Sequence, residues 1–100
     1  MANIAKLPAS EIQERLAKLQ GWKVVQEKLH REYKFADFVH AFGFMAAAAV
    51  QAEARAHHPE WSNVWNRVTV DLTTHDAGGI TEKDFELAAA MEAVAAKLAG

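Results

Sequence analysis

The sequence contains no cysteine. Disulfides, a thiolate nucleophile and a cysteine-ligated zinc site are therefore excluded. No charge of one sign dominates either: eleven Lys and Arg stand against thirteen Asp and Glu, a net charge of −2. That balance argues against a nucleic-acid binder, whose affinity comes from releasing counterions from phosphates. No stretch approaches the ~20 apolar residues of a membrane span, and residues 1–10 lack the apolar region of an export signal. A cytoplasmic protein is expected. Low-complexity linkers and internal repeats are also missing. A chain of 100 residues fits one domain, read as 1–100, and can bury roughly 60–70% of its unfolded surface.

What is abundant is alanine, which supplies 21 of the 51 apolar residues. Such small side chains stabilise little by their own burial, at ~25 cal/mol per Å². They let helices approach closely, which asks what they pack against.

Along the chain, helical and strand-like patterns alternate. Ser10 followed by Gln13 fits a capping box, Ile12, Leu16 and Leu19 share a helix face, and Gly21 suits a left-handed stop. Residues 22–25 are β-prone. Residues 29–35 alternate, with Leu29, Arg31, Tyr33 and Phe35 against His30, Glu32 and Lys34, and residues 26–28 form the turn between. Asp37 caps a second helix reaching about Ala56, with Phe38, Phe42, Met45 and Ala49 as one stripe and Ala46, Ala47, Ala48 and Ala49 leaving several sides smooth. Residues 61–74 turn β again: Val68, Val70 and Leu72 alternate with Thr69, Asp71 and Thr73, and Asn66-Arg67 is the expected turn. Residues 76–79 form a loop. Thr81 and Asp84 cap a last helix lined by Phe85, Ala88, Met91, Ala95 and Leu98. The order α-β-β-α-β-β-α predicts a two-layer α+β domain, three helices on one face of a four-stranded antiparallel sheet.

Chemistry concentrates in one quarter of the chain. His57 and His58 end the second helix and His75 ends the last strand. Glu53 precedes His57 by four residues, so the pair is expected to share a helix face at hydrogen-bonding range, and Pro59 turns His58 away from helical geometry. Imidazoles exchange protons near neutral pH, a carboxylate can fix a ring's tautomer, and Trp61 and Trp65 offer flat apolar surfaces. Thr73, Thr74 and Asp76 add short polar groups. His30 and His40 receive no role. His57, His58, His75 and a carboxylate could instead ligate a metal, although adjacent histidines seldom share one ion and no His-Glu-x-x-His motif occurs. A non-catalytic interaction module built on the alanine-rich helix is the other alternative.

Glu53-x-x-x-His57-His58-Pro59-Glu60-Trp61, Asn63-Val64-Trp65-Asn66, Val68, Leu72-x-Thr74-His75 and Gly79-Ile80-Thr81-x-x-Asp84 closely resemble the pterin-4a-carbinolamine dehydratase family. Gly21-Trp22 and Phe35-x-x-Phe38 extend the resemblance over essentially the whole chain, with Trp65 standing where many members have Tyr. The resemblance implies the same α+β order. It also implies dehydration of 4a-hydroxytetrahydropterin to the quinonoid dihydropterin, which recycles the cofactor of aromatic amino acid hydroxylases such as phenylalanine hydroxylase, with no metal or bound cofactor. His57, His58 and His75 match the family's active-site histidines. His57 and His75 are expected to flank the 4a-hydroxyl as proton donors, with His58 binding the ring or taking the N5 proton. Glu53 is expected to orient His57, Pro59 and Trp61 to wall the pocket, Thr73, Thr74 and Asp76 to contact the pterin, and Asp84 to be architectural. Members are tetramers joined through their second helices, so a homotetramer is expected. Vertebrate members also serve as a dimerisation cofactor for a homeodomain transcription factor, a partner that no feature of this sequence identifies.

Overall fold

The computed structural model of the chain describes residues 5–98; residues 1–4 of the opening stretch read for an export signal lie outside them. Three α-helices and four strands follow in the expected order: α1 (Ala9–Leu16), β1 (Lys23–Val25), β2 (Lys28–Lys34), α2 (Phe38–Ala54), β3 (Glu60–Val64), β4 (Arg67–Leu72) and α3 (Glu82–Leu98). All neighbours pair antiparallel in the order β1-β2-β4-β3. The alternation sets the layers. Leu29 and Tyr33 of β2 and Val68, Val70 and Leu72 of β4 are buried beneath the helices, joined by Phe44 of α2 and Leu87 and Met91 of α3. Tyr33, Phe35 and Phe44 form an aromatic knot with ring centroids 4.7–5.8 Å apart, worth about 0.5–1.5 kcal/mol per pair beyond burial. No helix among the described residues is long and apolar enough to cross a membrane.

Four local expectations change. The Ser10–Gln13 capping box does not form: α1 starts at Ala9, and the extended Pro8 already offers its carbonyl to the amides of Glu11 and Ile12. Ser10 therefore lies inside the helix. The first hairpin turns on two residues, Gln26 and Glu27, both with positive φ. The second turns on Trp65-Asn66, one residue earlier than expected, with Trp65 at φ 50°. Most consequentially, α2 buries Ala41, Phe44, Ala48 and Ala52, whereas Phe38 and Phe42 of the expected stripe are more than half exposed. Gly21, beyond the end of α1, does take the left-handed conformation, and a Cβ there would fall 2.7 Å from the Arg31 guanidinium.

Candidate active site

The site is assembled where α2, β3, β4 and α3 end or begin together. Helix α2 stops in a Schellman turn: the His57 amide donates to the Ala52 carbonyl and the Ala56 amide to that of Glu53, both at 3.1 Å. This places Ala56 in the left-handed region at φ 51°, a position that usually holds glycine. The turn swings His57 off the face that Glu53 occupies. Glu53 does not orient His57, as the four-residue spacing suggested; its Oε1 takes His58 Nε2 at 2.8 Å instead, in a pair that is largely exposed.

His57 finds its carboxylate 27 residues on. Its Nε2 lies 2.6 Å from Oδ1 of Asp84, and Asp84 is wholly buried. The other oxygen, Oδ2, accepts from the Thr74 hydroxyl and the Thr81 amide, each at 2.9 Å. Because Thr74 spends its only proton on Asp84, the 2.7 Å contact between the Thr74 and Thr81 hydroxyls must have Thr81 as donor. Thr81 Oγ1 in turn accepts from the Lys83 amide. The Thr81–Asp84 cap of α3 thus forms, and the same carboxylate reaches His57. With Nε2–H donating to Asp84, Nδ1 is the imidazole's acceptor nitrogen in the neutral ring.

His75 does not end β4, which stops at Leu72; it opens a short 3-10 turn, His75–Ala77, which Gly78 closes in the left-handed conformation. Its Nε2 is 3.0 Å from Oε2 of Glu60, whose Oε1 receives Lys28 Nζ at 2.5 Å. The Lys28 hydrogen bond holds the Glu60 carboxyl below the usual carboxylate range, and Glu60 reciprocally raises Lys28. All three histidines therefore meet a carboxylate through Nε2, which aligns their tautomers.

His57, His58, Thr73, Thr74, His75 and Asp76 line one open cleft of about 280 Å³, completed by Ala56 and Lys83. Pro59 and Trp61, expected as walls, are not among its lining residues. Trp61 pairs with Val70, a core residue, and its side chain packs half-buried against the core. Trp65 is exposed at the far hairpin tip. Glu60 and Lys83 are site residues to which the sequence assigns no role, and Asp84 is one expected only as architecture. Among the described residues, no group of three or more His, Cys, Asp or Glu side chains is arranged to hold a metal ion.

Residues 5–94 match the family model described as pterin 4 alpha carbinolamine dehydratase. The chain belongs to this family. A Solibacter usitatus relative, described provisionally as a pterin-4-alpha-carbinolamine dehydratase, is 68% identical over 91 residues, covering 91% of this chain and 96% of that protein. A Rhizobium leguminosarum relative with the same provisional description is 51% identical over 94 residues, 92% of this chain and 93% of its own. The crystal structure of a transcriptional coactivator/pterin dehydratase from Brucella melitensis superposes with a TM-score of 0.88 at 50% identity, covering 90% of this chain and 98% of that one. The dehydratase family's fold is thus this fold.

Proposed function

We propose that this protein dehydrates pterin-4a-carbinolamines to quinonoid dihydropterins by histidine acid–base catalysis. The observation that carries the reading is the single cleft in which His57, His58 and His75 converge, each fixed through Nε2 by a carboxylate. The chemistry asks for two proton transfers. The C4a–O bond breaks as the N5 lone pair forms the C4a–N5 double bond; N5 loses its proton, and the hydroxyl leaves as water after protonation. Hydroxide leaves poorly, so an acid at the oxygen and a base at N5 are both needed. His57 and His75 serve the 4a-hydroxyl, His58 binds the ring or takes the N5 proton, and Thr73 and Asp76 hold the pterin's polar edge, while Thr74, expected at that edge, has its hydroxyl committed to Asp84. Asp84 takes the orienting role first given to Glu53, which supports His58. The reaction needs neither a metal nor a bound cofactor, and it serves a tetrahydropterin-dependent hydroxylase of the phenylalanine hydroxylase type in the cytoplasm.

In a coupled phenylalanine hydroxylase assay, the protein should accelerate decay of the 4a-hydroxy adduct's ultraviolet signal. His57→Ala and His75→Ala should each lose about 10²–10⁴-fold in kcat, the usual weight of a positioned acid or base. Wild-type rates in both variants would remove the assignment.

Helix α2 also presents Phe38, Val39, Phe42 and Val50 outward, which favours self-association into the expected homotetramer. An interaction role would use the same face. Pull-downs with a His57→Ala protein separate such a role from catalysis. The near-neutral charge favours protein partners over direct contact with nucleic acid.

A further inference from the structure

We propose that Glu60 and Lys28 form a clamp that positions the His75 imidazole for proton transfer, an inference that rests on the dehydratase reading above. His75 is the most exposed of the three site histidines, its side chain 78% accessible. It stands on a three-residue turn, and its side-chain hydrogen bond runs to Glu60 on the edge strand β3. Glu60 is itself tethered. Lys28 begins β2, and because its neighbour Leu29 pairs with Leu72, its side chain reaches over the end of β4 to arrive at Oε1 while His75 holds Oε2. One carboxylate thus joins β2, β3 and the turn after β4, with a separate oxygen for each donor.

The surroundings leave Glu60 free for this task. Asp71 lies directly opposite it in the sheet, and facing carboxylates repel. Asp71, however, has its own donor in His30 Nδ1 at 2.8 Å. Each carboxylate is matched to one cationic or imidazole partner across the strands, and the spare oxygen of Glu60 points to His75. The clamp also stands at a junction: Thr73 and His75 line both the histidine cleft and a neighbouring one of about 240 Å³ to which Lys28 contributes. Fixing the ring there decides which cleft its Nδ1 addresses.

The clamp is a solvent-screened pair, so the expected effect is modest: a roughly twofold to fivefold fall in kcat, with KM within twofold. Glu60→Gln tests this, since it removes the charge and one of the two acceptor oxygens that Lys28 and His75 hold separately. Lys28→Met removes the tether without touching Glu60 or His75, and Lys28→Arg should restore it. Nitrogen-15 NMR of the imidazoles reads the His75 tautomer directly. Support is a lowered kcat in Glu60→Gln and Lys28→Met, recovery in Lys28→Arg, and loss of the Nε2–H form of His75 in the first two. Unchanged kcat with unchanged His75 resonances overturns the clamp, as does a lowered kcat with a wild-type tautomer. Should the wild-type protein fail to dehydrate the carbinolamine, the activity reading falls, and the His75 spectra alone decide the positioning.

Discussion

A carboxylate sealed from water must find a donor for each lone pair it turns inward, and Asp84 finds three. An asparagine in its place would offer one oxygen where Asp84 uses two. If that oxygen keeps the Thr74 hydroxyl and the Thr81 amide, the new NH₂ group faces His57 Nε2 and drives the ring's proton to Nδ1. Asp84→Asn is therefore expected to lower kcat by about 10²-fold or more and stability by about 1–3 kcal/mol. The coupled assay and a urea unfolding midpoint check the two effects, and full activity would show that Asp84 does not set the tautomer. The sequence displayed half of this residue. Thr81-x-x-Asp84 is legible as a cap because capping is local, using one carboxylate oxygen and an amide three residues away. The second oxygen answers to His57, 27 positions distant, and no spacing rule reaches that far. Glu53 shows the converse: a sound i,i+4 inference fails because Ala56 takes a left-handed conformation and ends the helix between the two residues.

At the level of elements, the two alternating strands were legible because each has one wet and one dry face. Helix α2 was not, because apolar residues surround it: Phe38 and Phe42 outside, Phe44 inside, alanines on both sides. With no polar face, periodicity cannot choose the side that meets the sheet. The first hairpin was legible in place but not in geometry. Gln26 and Glu27 both adopt positive φ, at 50° and 63°, as a two-residue type I′ turn demands, although Asn-Gly is the pair that suits it. The misfit is a small reserve of strain. Replacing the pair by Asn-Gly is expected to stabilise the fold by about 1 kcal/mol, raising Tm by about 4–8 °C for a domain of this size. Calorimetry reads it, and an unchanged or lower Tm would mean that the turn already fits its residues.

The alanine surplus acquires two separate meanings in the whole molecule. Ala41, Ala48 and Ala52 are buried within the single chain and let α2 approach the sheet and α3. Ala46, Ala47 and Ala49 lie outside with Val39, Phe42 and Val50, leaving one apolar helix face with no cover inside the chain. A contiguous exposed apolar face of this kind suits an interface, and small residues among larger ones would let a second α2 pack close in the proposed homotetramer. The two sets predict opposite outcomes. Val50→Asp should dissociate the proposed homotetramer toward the 11.0 kDa monomer in sedimentation at micromolar concentration while leaving the circular dichroism intact. Ala48→Leu should do the reverse, costing about 1–3 kcal/mol through overpacking while the assembled mass holds. A Val50→Asp protein that sediments like wild type would overturn α2 as the face of the proposed homotetramer, and an Ala48→Leu protein of wild-type stability would mean that the core beneath this helix has room to spare.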